Sequence, residues 1–458
     1  MSREARPTRA PRERVLVCGV RLPGFPSEFE GDGSEARALV RAAGADVVGE
    51  TLVQNRLRPV AATLLGSGKV EEIREALERH RPDAVLVDND LTPAQGRNLE
   101  RAFGVRVIDR SELILDIFAR RAKTRQARLQ VELAQTEYLS PRLRRMWTHL
   151  ERTEGAIGTR GPGETQLETD QRLIKKRIRD LRAELREIEA RKRREVRTRG
   201  DLFTVGLVGY TNAGKSTLLN KLTGSNELVA DMPFATLDTR TRQWRLTDGR
   251  LVLLSDTVGF LQRLPHHLVA SFHATLEETI QADLLLHVID ASHPDAGLQM
   301  RAVDEVLATL AGGLRAHVLV FNKVDRLGDP IALHLLAPDA EQDVVYTSAH
   351  TGAGRERLEQ VVASRMDRRT ALVEVRFPAS DGRTLARLRA TGAVLSEDFD
   401  PTGAMCVRSR LTEMGLGSLA RGAGHDVHVE VLEPPQEPFL SSRDGNGVPP
   451  GWTGPGGE

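Results

Sequence analysis

The sequence predicts an α/β multidomain protein, and three observations carry that prediction. Residues Gly209 to Thr217 read GYTNAGKST, the glycine-rich turn that joins a buried strand to a helix in mononucleotide-binding folds. Before Ala119, short apolar runs alternate with helical patterns. Residues 120–199 hold 23 Lys or Arg against 12 Asp or Glu, a net of +11 in a chain whose formal charge is +1. The expected order is a flexible N-terminus (1–14), an N-terminal α/β domain (15–119), a long basic helical hairpin (120–199), a P-loop domain with a mostly parallel sheet between helices (200–368), a small α+β C-terminal domain (369–431) and a disordered tail (432–458).

In the N-terminal domain, Val15 to Val20, Ala45 to Val48, Ala84 to Val87 and Val105 to Ile108 are strand candidates, with helical stretches such as Val70 to Arg79 and Pro93 to Phe103 between them. Gly66-Ser67-Gly68-Lys69 lacks the first glycine of a phosphate loop, and Val70 replaces the Ser or Thr needed for Mg²⁺, so it is expected to be a helix-start turn. In the basic block, Leu167, Ile174, Ile178, Leu181, Leu185 and Ile188 mark one apolar stripe on a helix running to about Arg197. Upstream, Leu115, Phe118, Ala122, Leu129, Leu133 and Thr136 form another helical stretch, expected to be interrupted near Pro141 and resumed through Trp147 and Leu150. GAIGTRGPG (Gly155 to Gly163) would be the tip of an antiparallel hairpin, carrying Arg160. A block this basic is either a nucleic-acid footprint or a solvated helical face.

Within residues 200–368, Leu202 to Val208 is the expected strand before the loop, and a helix begins at Ser216. Three later segments follow in order: Asp256-Thr257-Val258-Gly259, Asn322-Lys323-Val324-Asp325 and Ser348-Ala349-His350. Together they specify a guanine-nucleotide pocket. The backbone of the first loop cradles phosphates, Lys215 reaches the outer phosphates, and the Ser216 hydroxyl can ligate Mg²⁺. The Asp325 carboxylate can accept from N1–H and N2–H₂ of guanine, whereas adenine offers no donors there. Asn322 would steady the loop, the Lys323 stem would cover the base, and the Ala349 N–H would donate to O6. Asp256 would hold Mg²⁺ through water, with the Gly259 N–H facing the γ-phosphate. The remaining alternative is a pocket that binds without hydrolysing. Phe260 stands where Ras-like enzymes place the glutamine that orients water, so the catalytic group is left unassigned and unaided hydrolysis is expected to be slow. Asn212, inside the phosphate loop, is a candidate for holding K⁺. His266, His267 and His273 lack metal-binding spacing.

The last domain shows strand-like runs at Leu372 to Phe377, Met405 to Val407 and Val427 to Val431, with one helix, Gly382 to Thr391; the tail is rich in Pro, Gly and Ser. With 458 residues, 40% hydrophobic and 28% charged, the chain suits a water-soluble protein of several domains. Cys18 and Cys406 lie at opposite ends and give neither a disulfide framework nor a CxxC pattern, which points to a reducing cytosol. No signal peptide or integral membrane segment is expected. Peripheral membrane association is left open.

The chain resembles the HflX-type ribosome-associated GTPases. The resemblance covers roughly Val15 to Val431 and rests on SELILDIFARRAKTRQARLQVELAQTEYLSPRL (Ser111 to Leu143), GTRGPGETQLETD (Gly158 to Asp170), GYTNAGKSTLLNKLTG, and FATLDTRTR followed by DTVGFLQRLPHHLVASFHATLEET. It implies a cytoplasmic GTP/GDP-binding enzyme, monomeric off the ribosome, that binds the large (50S) subunit and acts in rescuing, splitting or assembling ribosomes under stress. It also implies that the hairpin, with Arg160 and Arg191, Lys192, Arg193 and Arg194, faces ribosomal RNA. The implied nucleotide contacts are Gly209, Tyr210, Thr211, Asn212, Ala213, Gly214, Lys215, Ser216, Phe234, Ala235, Thr236, Leu237, Asp238, the DTVG and NKVD residues, and Ser348 to His350, with Ser216 and Thr236 ligating Mg²⁺. The sequence departs from the family at Thr239, where proline is usual, and in a shorter, less glycine-rich hairpin tip. An RNA-modification or assembly factor acting on other RNA would use the same GTPase module.

Overall fold

A computed structural model of the chain describes residues 12–23, 33–146, 162–198, 203–225, 233–234, 240–256, 259–261, 282–311, 317–327, 343–422 and 426–436. The expectations for Trp147 and Leu150, for the tip at Arg160, for His266, His267 and His273, and for the tail lie outside these residues. Two compact units result: Met1–Ala190 with Leu228–Asp238 and Val258–Ala274, and Arg191–Glu227 with Thr239–Thr257 and Thr275–Glu458.

In the first unit, β1 (Arg14–Arg21), β2 (Asp46–Val47), β3 (Leu52–Asn55), β4 (Ala84–Val87) and β5 (Arg106–Asp109) form one parallel sheet, ordered β2-β1-β4-β5 with β3 also pairing β1. Helices α1 (Ser34–Ala42), α2 (Ser67–His80) and α3 (Pro93–Phe103) connect the strands. Two of these elements, β3 and α1, were not singled out by pattern. Helix α2 starts at Ser67 with Gly66 as its N-cap, and Lys69 pairs with Glu72 at 2.6 Å.

Helix α4 (Arg110–Arg121) is capped by the Asp109 carboxylate, which accepts from the Glu112 N–H at 2.9 Å. It stops at Ala122, whose ψ of 109° leaves the helical region, and the Thr124 hydroxyl accepts from the Ala127 N–H at 3.2 Å as the next helix starts. That helix, α5 (Arg125–Met146), runs through Pro141. The expected interruption at Pro141 is therefore corrected: the break falls at residues 122–124. A proline inside a helix costs about 3 kcal/mol. Here residues on both sides of it are tied to one buried carboxylate. The Tyr138 hydroxyl donates to Asp109 Oδ1 at 2.6 Å, and Arg142 donates to Asp109 Oδ2 at 2.7 Å and to the Leu91 carbonyl at 3.0 Å. The Arg142 guanidinium also lies 3.5 Å over the Tyr138 ring.

Helix α6 (Pro162–Thr198) packs its stripe on α5, where Leu181 and Leu185 close a core with Leu129 and Leu133, flanked by Ile178 and Ile188. Ion pairs Arg125–Glu184 and Arg177–Glu132 give the two helices opposite directions.

The second unit holds a six-stranded sheet ordered β11-β10-β9-β6-β8-β7, with every pairing parallel except β7 against β8. Its strands are β6 (Phe203–Gly209), β7 (Arg240–Arg245), β8 (Leu251–Asp256), β9 (Leu284–Asp290), β10 (His317–Asn322) and β11 (Val344–Tyr346). Helices α7 (Lys215–Thr223), α8 (Ala296–Ala311) and α9 (Arg355–Arg368) accompany it. β9 and β10 are buried along their whole length, as the central strands of a parallel sheet covered on both faces should be. The C-terminal sheet orders β13 (Gly392–Phe399), β14 (Ala404–Leu411), β12 (Ala371–Pro378) and β15 (His428–Glu433), all antiparallel. It carries α10 (Gly382–Thr391) and also α11 (Glu413–Gly422), so the expectation of a single helix is corrected to two. The sequence EMGLGSLARG of α11 has three glycines, which hides its helical tendency. β13 alternates too few apolar residues to stand out, with Leu395 and Phe399 exposed.

Candidate functional site

The phosphate loop follows β6. Gly209 has φ 150°, and a Cβ there would lie 2.2 Å from the Val288 carbonyl oxygen. Gly214 has φ 95°, and its Cβ would lie 2.3 Å from Asn322 Nδ2. Both positions admit only glycine, on conformation and on space. Between them Tyr210, Thr211 and Ala213 are buried, while Asn212 is exposed at φ 65°, a left-handed conformation that asparagine tolerates. Helix α7 starts at Lys215 with its N-terminus open to the loop, where backbone N–H groups favour anions.

Lys215 is buried, and its Nζ donates to the carbonyls of Gly209 at 2.9 Å and Tyr210 at 2.7 Å. Burial lowers its pKa to about 8, with the nearby Asp256 carboxylate acting in the opposite direction. The Ser216 hydroxyl donates to Asp256 Oδ2 at 2.6 Å. A hydroxyl and a carboxylate brought together at the strand end and helix start are hard oxygen donors and fit Mg²⁺. When bound, Mg²⁺ would neutralise charge on the outer phosphates.

The base-recognition segments converge on Asn322. Its Nδ2 donates to the Ala213 carbonyl at 2.9 Å, and its Oδ1 accepts from the Ala349 N–H at 2.9 Å. The amide thus ties the phosphate loop to the Ser348–His350 loop. It also engages the Ala349 N–H that was expected to meet guanine O6, so that donor is already used in this conformation. Lys323 adopts φ 64°, and its Nζ reaches Asp290 Oδ2 at 2.6 Å. Asp325 is exposed at the start of the short helix Val324–Arg326, and its pKa is held below the usual carboxylate value by a hydrogen bond from Ser348 and by the charges of His350 and Arg326. It is ionised, as a double acceptor must be.

The remaining expected contacts lie at 234–238 and 257–260. Phe234 has φ 56°, and its ring is 1% exposed, packed edge to face on Phe118 of α4 at 4.7 Å and 82°. Its ring is thus a packing element of the first unit, and a contact from Phe234 to the nucleotide would come from its backbone. Gly259 and Phe260 are buried. Ala235, Thr236, Leu237, Asp238, Thr257 and Val258 lie outside the described residues, as do the side chains of Lys192, Arg193 and Arg194 within α6; Arg191 is exposed.

The parallel sheet, glycine-walled loop, buried lysine, serine–aspartate pair and guanine-type base loop define a P-loop GTPase, a GTP-hydrolysing enzyme. The chain is 43% identical to the GTPase HflX of Escherichia coli K12 over 388 residues, which is 83% of this chain and 89% of that one. It is 42% identical to the GTPase HflX of Caldanaerobacter subterraneus subsp. tengcongensis over 87% of this chain and 90% of that one. The chain belongs to the HflX GTPase family. Family profiles agree: GTP-binding GTPase N-terminal at 31–119, GTP-binding GTPase Middle Region at 121–199, and 50S ribosome-binding GTPase at 204–323. Among solved structures, a GTP-binding protein from Sulfolobus solfataricus in complex with GDP is 24% identical over 77% of this chain and 98% of that one, with a TM-score of 0.40. Among the described residues, no helix is long and apolar enough to cross a membrane.

Two predictions follow from this geometry. Asp325→Asn removes the double acceptor and is expected to weaken GTP binding by on the order of 100-fold, since hydrogen bonds to a charged group contribute ~1.5–3 kcal/mol each. Xanthine nucleotide, whose 2-oxo group meets an amide donor, should then bind better than GTP. Competition with GTP, XTP and ATP reads the outcome, and unchanged GTP preference would place the base elsewhere.

The second concerns pH. Phosphates bound against Lys215 would raise its pKa above the value of about 8 in this conformation. Binding therefore takes up protons, with affinity greatest below pH 8 and falling as pH rises through it, at most about tenfold per pH unit. Calorimetry in buffers of different ionisation enthalpy measures the uptake. A GTP affinity flat from pH 7 to pH 9 would refute the assignment.

Proposed function

We propose that the chain binds the large (50S) ribosomal subunit in its GTP form and acts in splitting or rescuing ribosomes, or in their biogenesis, under stress. The observation that carries this is the net +11 block at 120–199, built as a pair of packed helices whose apolar stripe faces inward. Arg172, Lys175, Lys176, Arg177, Arg179, Arg182, Arg186 and Arg191 are then left exposed along α6. Eight exposed cations along one helix, against exposed Asp180 and Glu187, suit a phosphate backbone. The match of residues 204–323 to the 50S ribosome-binding GTPases supports the same partner. The layout proposed is the one expected from sequence, with 120–199 as the RNA-facing arm and 200–368 as the nucleotide domain.

In this reading Gly209 to Ser216, Phe234 to Asp238, Asp256 to Gly259, Asn322 to Asp325 and Ser348 to His350 bind the nucleotide, and Ser216 with Thr236 ligates Mg²⁺. Phe260 cannot orient water, so the ribosome supplies or positions the missing group. The alternative is an assembly or RNA-modification factor acting on other RNA. Co-sedimentation with purified large subunits, using a non-hydrolysable GTP analogue, separates the two. The parent should pellet with large subunits and lose affinity by on the order of a thousandfold between ~50 and ~200 mM salt. Deleting Gly155 to Gly163, or replacing Arg191 to Arg194 by alanine, should weaken pelleting and remove ribosome-stimulated hydrolysis while GTP affinity is kept. If both variants pellet and respond as the parent does, the arm is a spacer.

Asn212 supports a further element of the reading. Exposed in the phosphate loop, its side chain can help hold a monovalent cation, which in GTPases with a similar asparagine adds positive charge to the transition state. Turnover should be faster in KCl than in NaCl at matched ionic strength, and Asn212→Ala should erase the difference. Equal rates in the two salts would leave Asn212 as a loop brace.

A further inference from the structure

A second polar cluster lies inside the GTPase unit, apart from the nucleotide loops. β9 reads LLLHVID and β10 reads HVLVFN, each buried throughout. His287 and His317 interrupt these apolar runs, and the register pairs His287 with Leu319 and His317 with Leu285, so the two imidazoles rise from the same face of adjacent strands. That face is covered by α8, where Asp304 follows the buried Val303 and precedes the buried Leu307 by three residues.

A single carboxylate oxygen, Asp304 Oδ1, lies 3.4 Å from His287 Nδ1 and 3.7 Å from His317 Nε2. The three ligand atoms all fall within 4.8 Å of one another. His287 Nδ1 and Asp304 Oδ1, both shielded from solvent, have no closer partner than their own long 3.4 Å contact. The His287 side chain is only 1% exposed. A contact this long leaves both buried atoms short of a full hydrogen bond, with room for a ligand that would satisfy them together.

We propose that His287, Asp304 and His317 form a binding site for a divalent transition cation, Zn²⁺ first, that pins α8 to β9 and β10. The donor set is two imidazole nitrogens and one carboxylate oxygen, which suits Zn²⁺, whereas Mg²⁺ demands oxygen ligands. Metal–ligand bonds of about 2.0–2.1 Å at tetrahedral angles set ligand–ligand distances near 3.3–3.4 Å, so the two spacings to Asp304 Oδ1 need little contraction. Burial lowers the pKa of His287, which keeps the imidazole in the neutral form a metal requires. Asp304 is 27% exposed and provides the route of entry. Among the described residues no fourth His, Cys, Asp or Glu joins the cluster, leaving the fourth position to water.

The test uses the full chain, stripped with a chelator and dialysed against buffered Zn²⁺ or, as a control, Mg²⁺. Elemental analysis should give one zinc per chain above the parallel values for Asp304→Asn and His317→Gln. At free Zn²⁺ about a hundredfold over Kd, the unfolding midpoint of the parent should rise by roughly 5–10 °C, and that of the variants should not. Co²⁺ in place of zinc should give the visible absorption of a tetrahedral site in the parent alone. Asp304→Asn changes a partly exposed side chain and carries the test if His317→Gln fails to fold. The proposal is overturned if the parent binds no zinc, or if Asp304→Asn keeps zinc, midpoint shift and Co²⁺ spectrum unchanged, which would place the ion on other histidines.

Discussion

The nucleotide site depends on one amide. Asn322 is buried and satisfied at both ends, donating to the Ala213 carbonyl and accepting from the Ala349 N–H, each at 2.9 Å. Three loops that are far apart in sequence meet there, and the fit is steric as well as polar, because Gly214 leaves the space that Asn322 Nδ2 fills. Leaving either partner unsatisfied costs about 1–3 kcal/mol, so the loops hold one another in register rather than each being stiff alone. Lys323, in a left-handed conformation, extends the same brace to Asp290.

A comparable economy holds the N-terminal unit to its helical arm. Asp109 ends β5, caps α4 through the Glu112 N–H, and accepts from Tyr138 and Arg142 of α5. Desolvation raises the pKa of this carboxyl, and the hydrogen bonds from Tyr138, Glu112 and Leu91 with the Arg142 charge oppose that rise. The carboxylate therefore fixes the angle at which the basic arm leaves the sheet of its own unit. Phe234 adds a second fixed point in that unit through its contact with Phe118.

What could be read from sequence was what is local. The glycine turn, the lysine and serine after it, and the base-recognition tetrad are contiguous strings whose chemistry is set by spacing, and the stripe on α6 is set by helical period. What could not be read depends on partners distant in the chain. Pro141 carried a local rule against helix, and the rule lost because Tyr138 and Arg142 share Asp109. That the Phe234 ring packs on Phe118 could not be seen in a string read for nucleotide contacts. Helix α11 was hidden by its glycines and β13 by its exposed face. His287, Asp304 and His317 have no motif spacing at all, since a sheet register and a covering helix bring them together.

β9 shows how closely these features are coupled. Its residues Leu284, Leu286 and Val288 join the main core on one face, while Ile289 joins Leu319 and Phe321 on the other, the face that also carries His287. The Val288 carbonyl is what excludes a side chain at Gly209. Two residues on, Asp290 receives Lys323. A strand rising ~3.3 Å per residue puts His287 about 10 Å from Asp290. A strand fixed by hydrogen bonds on both sides cannot shift at one end alone, so any rearrangement at His287 reaches both the phosphate loop and the base loop through the same backbone. The spacing of the nucleotide loops is thus set by how the core seats this strand, and the histidine cluster is part of that seat.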